Sequence, residues 1–160
     1  MSIVCDCDVR FIDSEEWDEA IELIYRTFLE FDAPEFTEDG IAQFRDFISD
    51  HTLKRMYEAG VFQMIGAYDG MKLVGVLGLR ANSHISLLFV HRDYHRQGIG
   101  RKLLMVLCDY ALIKLHQEFI TVNSSPYAVE FYHRMGFTDV METQESDGII
   151  YTPMKLILGV

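Results

Sequence analysis

Two glycines separated by one residue stand between an apolar segment and an amphipathic one. Residues 85–90 are apolar except for one serine, and a polar turn follows that ends in Gly98 and Gly100. Beyond the glycines, apolar residues recur at three- and four-residue steps as far as Leu115, which is the period of a helix. The first backbone N–H groups of such a helix have no partner within it and carry the positive end of its dipole. Because glycine lets a bulky anion approach these groups, the pattern predicts a phosphate-binding turn.

Basic side chains cluster around this turn in an otherwise acidic chain. Residues 1–50 carry 15 acidic and 3 basic residues, a balance of −12, whereas residues 51–160 have a balance of +1, and the two give the −11 of the whole chain. The cluster around the glycines consists of Arg92, Arg96, Arg101 and Lys102, with one acidic residue, Asp93, among them. Such a patch suits an anionic cofactor, and the alternative is an ordinary solvated surface.

The spacing of the turn distinguishes between phosphate-binding families. Arg101 follows the second glycine, so the Lys-Ser of a P-loop is missing, and Leu103 stands where a dinucleotide-binding turn has its third glycine. The segment instead resembles the turn Gln/Arg-x-x-Gly-x-Gly/Ala that opens the long helix of the GNAT superfamily of acyl-CoA-dependent N-acetyltransferases. One departure from that pattern is His95, which occupies the place of the usual Gln or Arg.

Residues 123–137 (NSSPYAVEFYHRMGF) carry the same resemblance. In GNAT proteins a strand ending in Asn or Ser precedes a short helix with Ala-x-x-Phe-Tyr, and Gly-Phe then opens the next strand. The residues that match are Asn123, Ala128, Phe131, Tyr132, Gly136 and Phe137. Two separated motifs in the expected order are more specific than either motif alone.

The resemblance implies transfer of an acetyl group from acetyl-CoA to an amine, without a metal. It implies that the main chain at Phe89 and Val90 binds the pantetheine and the thioester carbonyl, where the strand parts from its parallel neighbour; simple core packing is the alternative for their side chains. It also implies that Tyr132 is the general acid that protonates the CoA thiolate, and aromatic packing is the alternative for that residue. The cofactor-binding residues implied in this way are Phe89, Val90, His95, Arg96, Gln97, Gly98, Ile99, Gly100, Arg101 and Asn123.

An ammonium group must lose a proton before it can attack a thioester, and the sequence leaves the base open. His84, just before the apolar segment, titrates in a suitable range, and a surface or turn histidine is the alternative. The resemblance implies that the loop after the first long helix lines the acceptor site, and in this chain that loop is acidic. We therefore expect Glu30 and Asp32 to favour a cationic amine such as a polyamine, an aminoglycoside or a lysine side chain.

The elements that must position these residues predict an α/β chain with a mixed sheet. A short strand, two amphipathic helices and a strand hairpin precede the apolar segment, and a second buried strand, a short helix and two final strands follow the long helix. The predicted spans are strands at 7–12, 61–68, 71–80, 118–122, 137–142 and 149–158, with Asp69-Gly70 as the hairpin turn. Because strand, helix and strand form a crossover, one strand pair must be parallel. We expect a single GNAT-like domain over 1–160, with a mostly antiparallel sheet, a splayed parallel pair and about four helices.

Composition narrows the remaining functional classes. The chain has no apolar run of membrane-spanning length and no secretory signal at its start, so we expect a cytoplasmic protein that does not contact membranes. A net charge of −11 argues against nucleic acid as a partner. Cys5 and Cys7 lie close enough to share a metal, but no neighbouring residues complete a ligand set. We expect a small-molecule or peptide amine as partner, with a homodimer left open. The alternatives to an enzyme are a non-catalytic CoA-sensing module and a domain that binds another phosphate ligand.

Overall fold

A computed structural model describes residues 6–159, which form an eight-stranded mixed sheet with helices on both faces. The strands are β1 (Asp8–Phe11), β2 (Phe62–Asp69), β3 (Lys72–Arg80), β4 (His84–Val90), β5 (Phe119–Ser124), β6 (Thr138–Asp139), β7 (Gln144–Ser146) and β8 (Ile149–Ile157). The helices are α1 (Trp17–Phe31), α2 (Glu38–Ser49), α3 (His51–Glu58), α4 (Ile99–Ile113) and α5 (Val129–Arg134). No helix within 6–159 is long and apolar enough to span a membrane. Cys5 lies outside the described residues.

The order of the strands confirms the predicted mixed sheet. The order is β1-β2-β3-β4-β5-β8-β6, and β7 pairs with β8 beside this path. Every pair is antiparallel except β4 and β5, which the crossover through α4 makes parallel. This pair holds together only at its start, where His84 lies opposite Thr121 and Ile85 lies opposite Val122. Beyond these positions the two strands separate.

The separation follows from the other neighbour of each strand. β4 stays paired with β3 up to Val90, and β5 stays paired with β8 up to Ser124. The β3–β4 register shifts by one residue after Gly78, which leaves Ser86 without a cross-strand partner. Such a bulge bends a strand and increases its twist, so β4 turns away from β5.

Two apolar clusters lie on the two faces of the sheet. On one face, α4 contributes buried residues such as Leu103 and Leu107, which pack with Ile120 of β5. On the other face, α1 contributes Trp17 and Phe28, with α2 and α3 packed beside it. The apolar period of each helix therefore selects the side of the sheet that it covers.

The structure corrects two of the predicted strand boundaries. The hairpin turn consists of Gly70 and Met71 rather than Asp69-Gly70, because Asp69 still pairs with Lys72. Gly70 takes the positive φ of 61° that the first position of a type II′ turn requires. The predicted strand over 137–142 is also wrong in extent. Only Thr138–Asp139 pairs with β8, and the separate strand β7 forms a hairpin with β8 through Gly148.

Thr37 ties this hairpin to the start of α2, and we predict that Thr37→Ala lowers the free energy of unfolding by about 1 kcal/mol. Its hydroxyl accepts the N–H of Gly40 at 3.2 Å, and its own N–H donates to the carbonyl of Gly148 at 3.2 Å. Urea unfolding measures the effect. Ser49→Ala removes a hydroxyl at the exposed far end of the same helix and is the control, with an expected change below about 0.5 kcal/mol. Equal effects of the two substitutions would contradict the capping role.

Candidate active site

A cleft of about 1050 Å³ opens where β4 and β5 separate. Its walls come from β4, the end of α1, the start of α4, the segment from β5 into α5, the first residues of β8, and Phe36 and Phe44 at α2. Such a position, at the carboxyl ends of diverging parallel strands, is where sheets of this kind bind ligands. The candidate site residues from the end of β4, the glycine turn and the end of β5 therefore share one cavity.

The start of α4 faces this cleft with unpaired backbone donors. The first helical bond runs from the N–H of Lys102 to the carbonyl of Gly98, and the N–H groups of residues 99–101 bond to no described residue. Gly98 has φ = +79° and no atom within 4 Å of the place where a Cβ would stand. Arg96 also has a positive φ, 63°. Successive N–H groups in such a turn form a concave anion site at the positive end of the helix dipole.

The predicted basic cluster divides between the cleft and other contacts. Arg96 and Arg101 line the cleft. Arg92 instead bonds Glu30 at 3.0 Å, and the amino group of Lys102 bonds the carbonyl of Cys7. The sequence reasoning missed one basic residue of the cleft, Arg134 at the end of α5. No local pattern marks that position, because only the packing of α5 beside α4 brings it there.

His95, which departs from the family pattern, links the turn to β4. Its Nε2 lies 2.6 Å from the carbonyl oxygen of Val90, so the ring donates a proton there. Its ring also lies 4.6 Å from that of Phe31, which in turn lies 5.2 Å from Tyr127. This row of three rings joins both rims of the cleft to the end of α1. Gln97 does not line the cleft, because its side chain donates to the carbonyl of Asp93 at 3.2 Å.

The predicted strand-end residues line the cleft with an open sheet edge. Phe89, Val90 and Asn123 all belong to its wall. Phe89 is 9% exposed, so its side chain also packs in the core. On the same strand as Phe89 and Val90, the hydroxyl of Ser86 is buried and bonds to no described residue. A buried polar group without a hydrogen-bond partner lowers the stability of the fold, and a polar ligand in the cleft would supply the missing partner.

Tyr132 is positioned by the way α5 ends. Gly136 has φ = +98°, and its N–H bonds the carbonyl of His133 while the N–H of Phe137 bonds that of Tyr132, both at 3.0 Å. These are the two bonds of a Schellman motif, and the ring of Phe137 packs 5.1 Å from that of Tyr132. Tyr132 lines the cleft, and its hydroxyl makes no hydrogen bond with the described residues. Burial, with the nearby charge of Asp32, raises the pKa of Tyr132 well above its usual range.

Asp32 lies in the cleft with Ser125 as its partner. The Ser125 hydroxyl donates to Oδ1 of Asp32 at 3.1 Å. Burial raises the pKa of this carboxyl from 3.8 to about 6, and the serine bond opposes the rise. Ser125 stands at the cap position before the Pro126–Ala128 turn, but its side chain does not cap that turn. The Ser125 hydroxyl therefore bonds Asp32 across the cleft instead of capping the turn that follows it.

Two other predicted site residues lie outside the cleft. His84 stands at the closed end of the strand pair, where its Nδ1 lies 2.8 Å from the hydroxyl of Thr121. Burial lowers the pKa of this imidazole. Glu30 does not line the cleft either, since it pairs with Arg92 between α1 and the loop after β4. Of the acidic residues in the 30–35 segment, Asp32 alone lines the cleft.

The sequence of this chain matches a known family model and a curated relative. Residues 32–158 match the family model of the acetyltransferase (GNAT) domain. Over 121 residues the chain is 28% identical to UPF0157 protein YqkA of Bacillus subtilis, a match that covers 74% of this chain. The match covers 34% of YqkA, so the chain spans about a third of the length of this curated relative.

Solved structures with the same fold cover almost the whole chain. A GCN5-related N-acetyltransferase from Rhodopseudomonas palustris has a TM-score of 0.84 at 20% identity and covers 99% of each chain. The PaiA N-acetyltransferase of Thermoplasma acidophilum, in complex with coenzyme A, has a TM-score of 0.74 at 19% identity over 97% of this chain and 98% of its own. A spermidine N-acetyltransferase of Vibrio cholerae, in complex with CoA and spermine, has a TM-score of 0.67 at 14% identity and covers 95% of each chain. At these identities the likeness concerns the fold.

Because burial raises the pKa of Asp32, we predict that the free energy of unfolding falls as the pH rises. The folded chain binds the Asp32 proton more tightly than the unfolded chain, so this stabilising contribution is present below pH 3.8 and is lost as the pH rises through about 6. Asp32→Asn cannot ionise and keeps an acceptor for Ser125. We expect the variant to exceed the natural protein in unfolding free energy by roughly 2–3 kcal/mol at about pH 8, and by less at about pH 5.

Urea unfolding at both pH values measures this difference. Asp109→Asn changes an exposed carboxyl on α4 and is the matched control, with an expected change within about 0.5 kcal/mol at either pH. An Asp32→Asn variant that is no more stable than the natural protein near pH 8 would contradict the burial of a charged carboxylate.

Proposed function

Because the chain belongs to the GNAT acetyltransferase family, we propose that it transfers an acetyl group from acetyl-CoA to a primary amine of a small molecule or peptide. The attack is direct, within a complex that holds both substrates. The observation that carries the proposal is the open start of α4 beside the parted strands, with the unbonded Tyr132 hydroxyl in the same cleft.

The residues of the cleft suit the parts of acetyl-CoA. The three unpaired N–H groups of residues 99–101, with Arg96 and Arg101 beside them, would hold the diphosphate. The open edge of β4 at Phe89 and Val90, with Asn123 across from it, would hold the pantetheine. Acetyl-CoA supplies the thioester carbon that the amine attacks. His95 would fix the carbonyl of Val90 and orient the end of this edge.

Asp32 and Tyr132 supply the two proton transfers that the reaction needs. The carboxylate of Asp32 accepts a proton from the bound ammonium, and the neutral nitrogen then forms its bond to the acetyl carbon. The C–S bond breaks with its electron pair on sulfur, and Tyr132 gives its phenolic proton to that thiolate. The second amine proton restores the phenol, directly or through water, and Asp32 releases its proton to solvent. The bound ammonium and the thioester are thereby converted to an amide, a thiol and one proton, which leaves to solvent.

The pKa values of the two groups support these roles. A carboxyl with a pKa of about 6 is ionised near neutral pH and can accept a proton. An apolar cleft also lowers the pKa of a bound ammonium, which brings donor and acceptor closer together. Burial, with a smaller contribution from the negative charge of Asp32, raises the pKa of Tyr132 and holds its proton before the reaction. Once Asp32 is protonated that charge is gone, so Tyr132 becomes a stronger acid when the thiolate leaves.

Three expected site residues lie outside the cleft and have no part in this mechanism: Gln97, His84 and Glu30. His84 is separated from the cleft by the closed end of the strand pair and bonds Thr121. Glu30 is neutralised by Arg92, so it stabilises the end of α1 against the loop that precedes α4.

We predict that acetyl-CoA stabilises the chain and that amines release free CoA from it. At a concentration of about 100 Kd the cofactor should raise the melting temperature by roughly 5–10 °C, whereas ATP and NAD at equal concentration should not. Release of thiol with varied amines then measures turnover. Stabilisation by acetyl-CoA without thiol release from any amine would favour the CoA-sensing alternative. Stabilisation by ATP or NAD alone would refute CoA binding.

We predict that Tyr132→Phe lowers kcat by roughly ten- to ten-thousandfold, the range for loss of a general acid. Since the hydroxyl makes no hydrogen bond with the described residues, the ring should pack as before and the KM for acetyl-CoA should stay unchanged. Tyr110→Phe, on the half-buried side of α4 against Phe11, is the control with unchanged kcat. Unchanged kcat in Tyr132→Phe would remove this residue from the mechanism.

A further inference from the structure

Four phenylalanine rings line the end of the cleft that lies between α1, α2 and β4. We call them the aromatic wall: Phe28, Phe36, Phe44 and Phe89. Phe28 and Phe44 stack at 4.0 Å, Phe36 meets Phe28 edge-on at 5.2 Å, and Phe44 lies 5.8 Å from Phe89. All four rings line the cleft, but Phe28 and Phe89 are buried in the core, whereas Phe36 and Phe44 are half-buried. The last two therefore offer apolar surface to a ligand.

The first residues of β8 extend this apolar surface. Ile149, Ile150 and Tyr151 all line the cleft and are half-buried. The turn before them, at Gly148, is held against the start of α2 by Thr37 and Gly40. Because Phe44 stands on α2, the same contact keeps the β8 residues and the aromatic wall together.

Negative charge is scarce at this end of the cleft. Among the described residues that line it, the acidic ones are Asp32 and Glu130. Glu130 is exposed on α5, whose next residue Phe131 packs against Gly100 at the start of α4, so Glu130 stands at the other end of the cleft. Asp32 is thus the single carboxylate available to an acceptor beside the aromatic wall. The remaining acidic side chains of the segment, Glu30 and Glu35, do not line the cleft.

We propose that the acceptor is a primary amine with one positive charge on an aryl or alkyl body, and that its ammonium binds Asp32 while its body lies against Phe36 and Phe44. The inference rests on the proposed acetyl transfer and assigns its substrate class. It replaces the sequence-based expectation of a polyamine or aminoglycoside, which needs several anionic partners. A second ammonium at this end would be desolvated without a partner, since a buried charge is costly unless it is paired.

Steady-state thiol release with a panel of amines tests the substrate class. The panel contains 2-phenylethylamine and hexylamine as apolar monoamines, with putrescine and spermidine as polycations. We expect kcat/KM to be roughly ten- to a hundredfold higher for the monoamines, the ratio that burial of one ring or chain produces. A higher kcat/KM for putrescine or spermidine would overturn the inference while leaving the acetyl transfer intact. No turnover with any of the four amines would overturn the proposed function and the inference with it.

Matched variants of α2 test the place of the aromatic wall. Phe44→Ala should raise the KM for 2-phenylethylamine roughly tenfold, because it removes apolar surface that lines the cleft. Phe47→Ala removes the same group one turn further along α2, outside the cleft, and should change KM less than about twofold. Phe36→Ala, in the turn before α2, provides a second test if Phe44→Ala does not fold. Equal effects of the cleft variants and Phe47→Ala would refute contact between the wall and the substrate.

Discussion

The separation of two parallel strands is the constraint from which the cleft follows. β4 and β5 share only the pairs at His84 and Ile85, because each strand is held more firmly by its antiparallel neighbour. β4 follows β3 through a bulge at Ser86, and beyond Val90 the N–H of His91 still bonds the carbonyl of Val74. A parallel pair that closed fully would place core side chains where the cleft now lies. The unpaired edge therefore exists because the sheet satisfies its backbone groups elsewhere.

The start of α4 and the aromatic wall give the two ends of the cleft opposite characters. At one end, unpaired N–H groups and arginines attract an anion, and polar groups replace a hydrophobic lining. At the other end, the aromatic wall and the carboxylate of Asp32, which accepts a hydrogen bond from Ser125, line the same cavity. The proposed reaction uses this contrast, since its acyl donor is a bulky polyanion and its amine must lose a charge to react. Tyr132 lies in the same cavity, where the charge of Asp32 acts on it.

Burial of Asp32 illustrates how such a site opposes stability. A carboxylate taken out of water favours its protonated form, and the one hydrogen bond from Ser125 offsets only part of that cost. The Ser86 hydroxyl is a similar case, since it is buried without a partner among the described residues. Both groups destabilise the folded chain, and both line the cleft. The surrounding apolar clusters on both faces of the sheet supply the stability that tolerates them.

Local patterns in the sequence determined the order of the elements, the glycine turn of α4, the cap at Thr37 and the Gly136-Phe137 end of α5, because each depends on neighbours a few residues away. Tertiary structure decided which of the candidate residues meet. Glu30 and Asp32 stand two residues apart on opposite sides of the last turn of α1, and the packing of that turn decides that one pairs with Arg92 while the other enters the cleft. The bond between Asp32 and Ser125 spans 93 residues, and Arg134 joins the cleft from another helix. Such contacts depend on how the sheet twists and parts, and no local period encodes that.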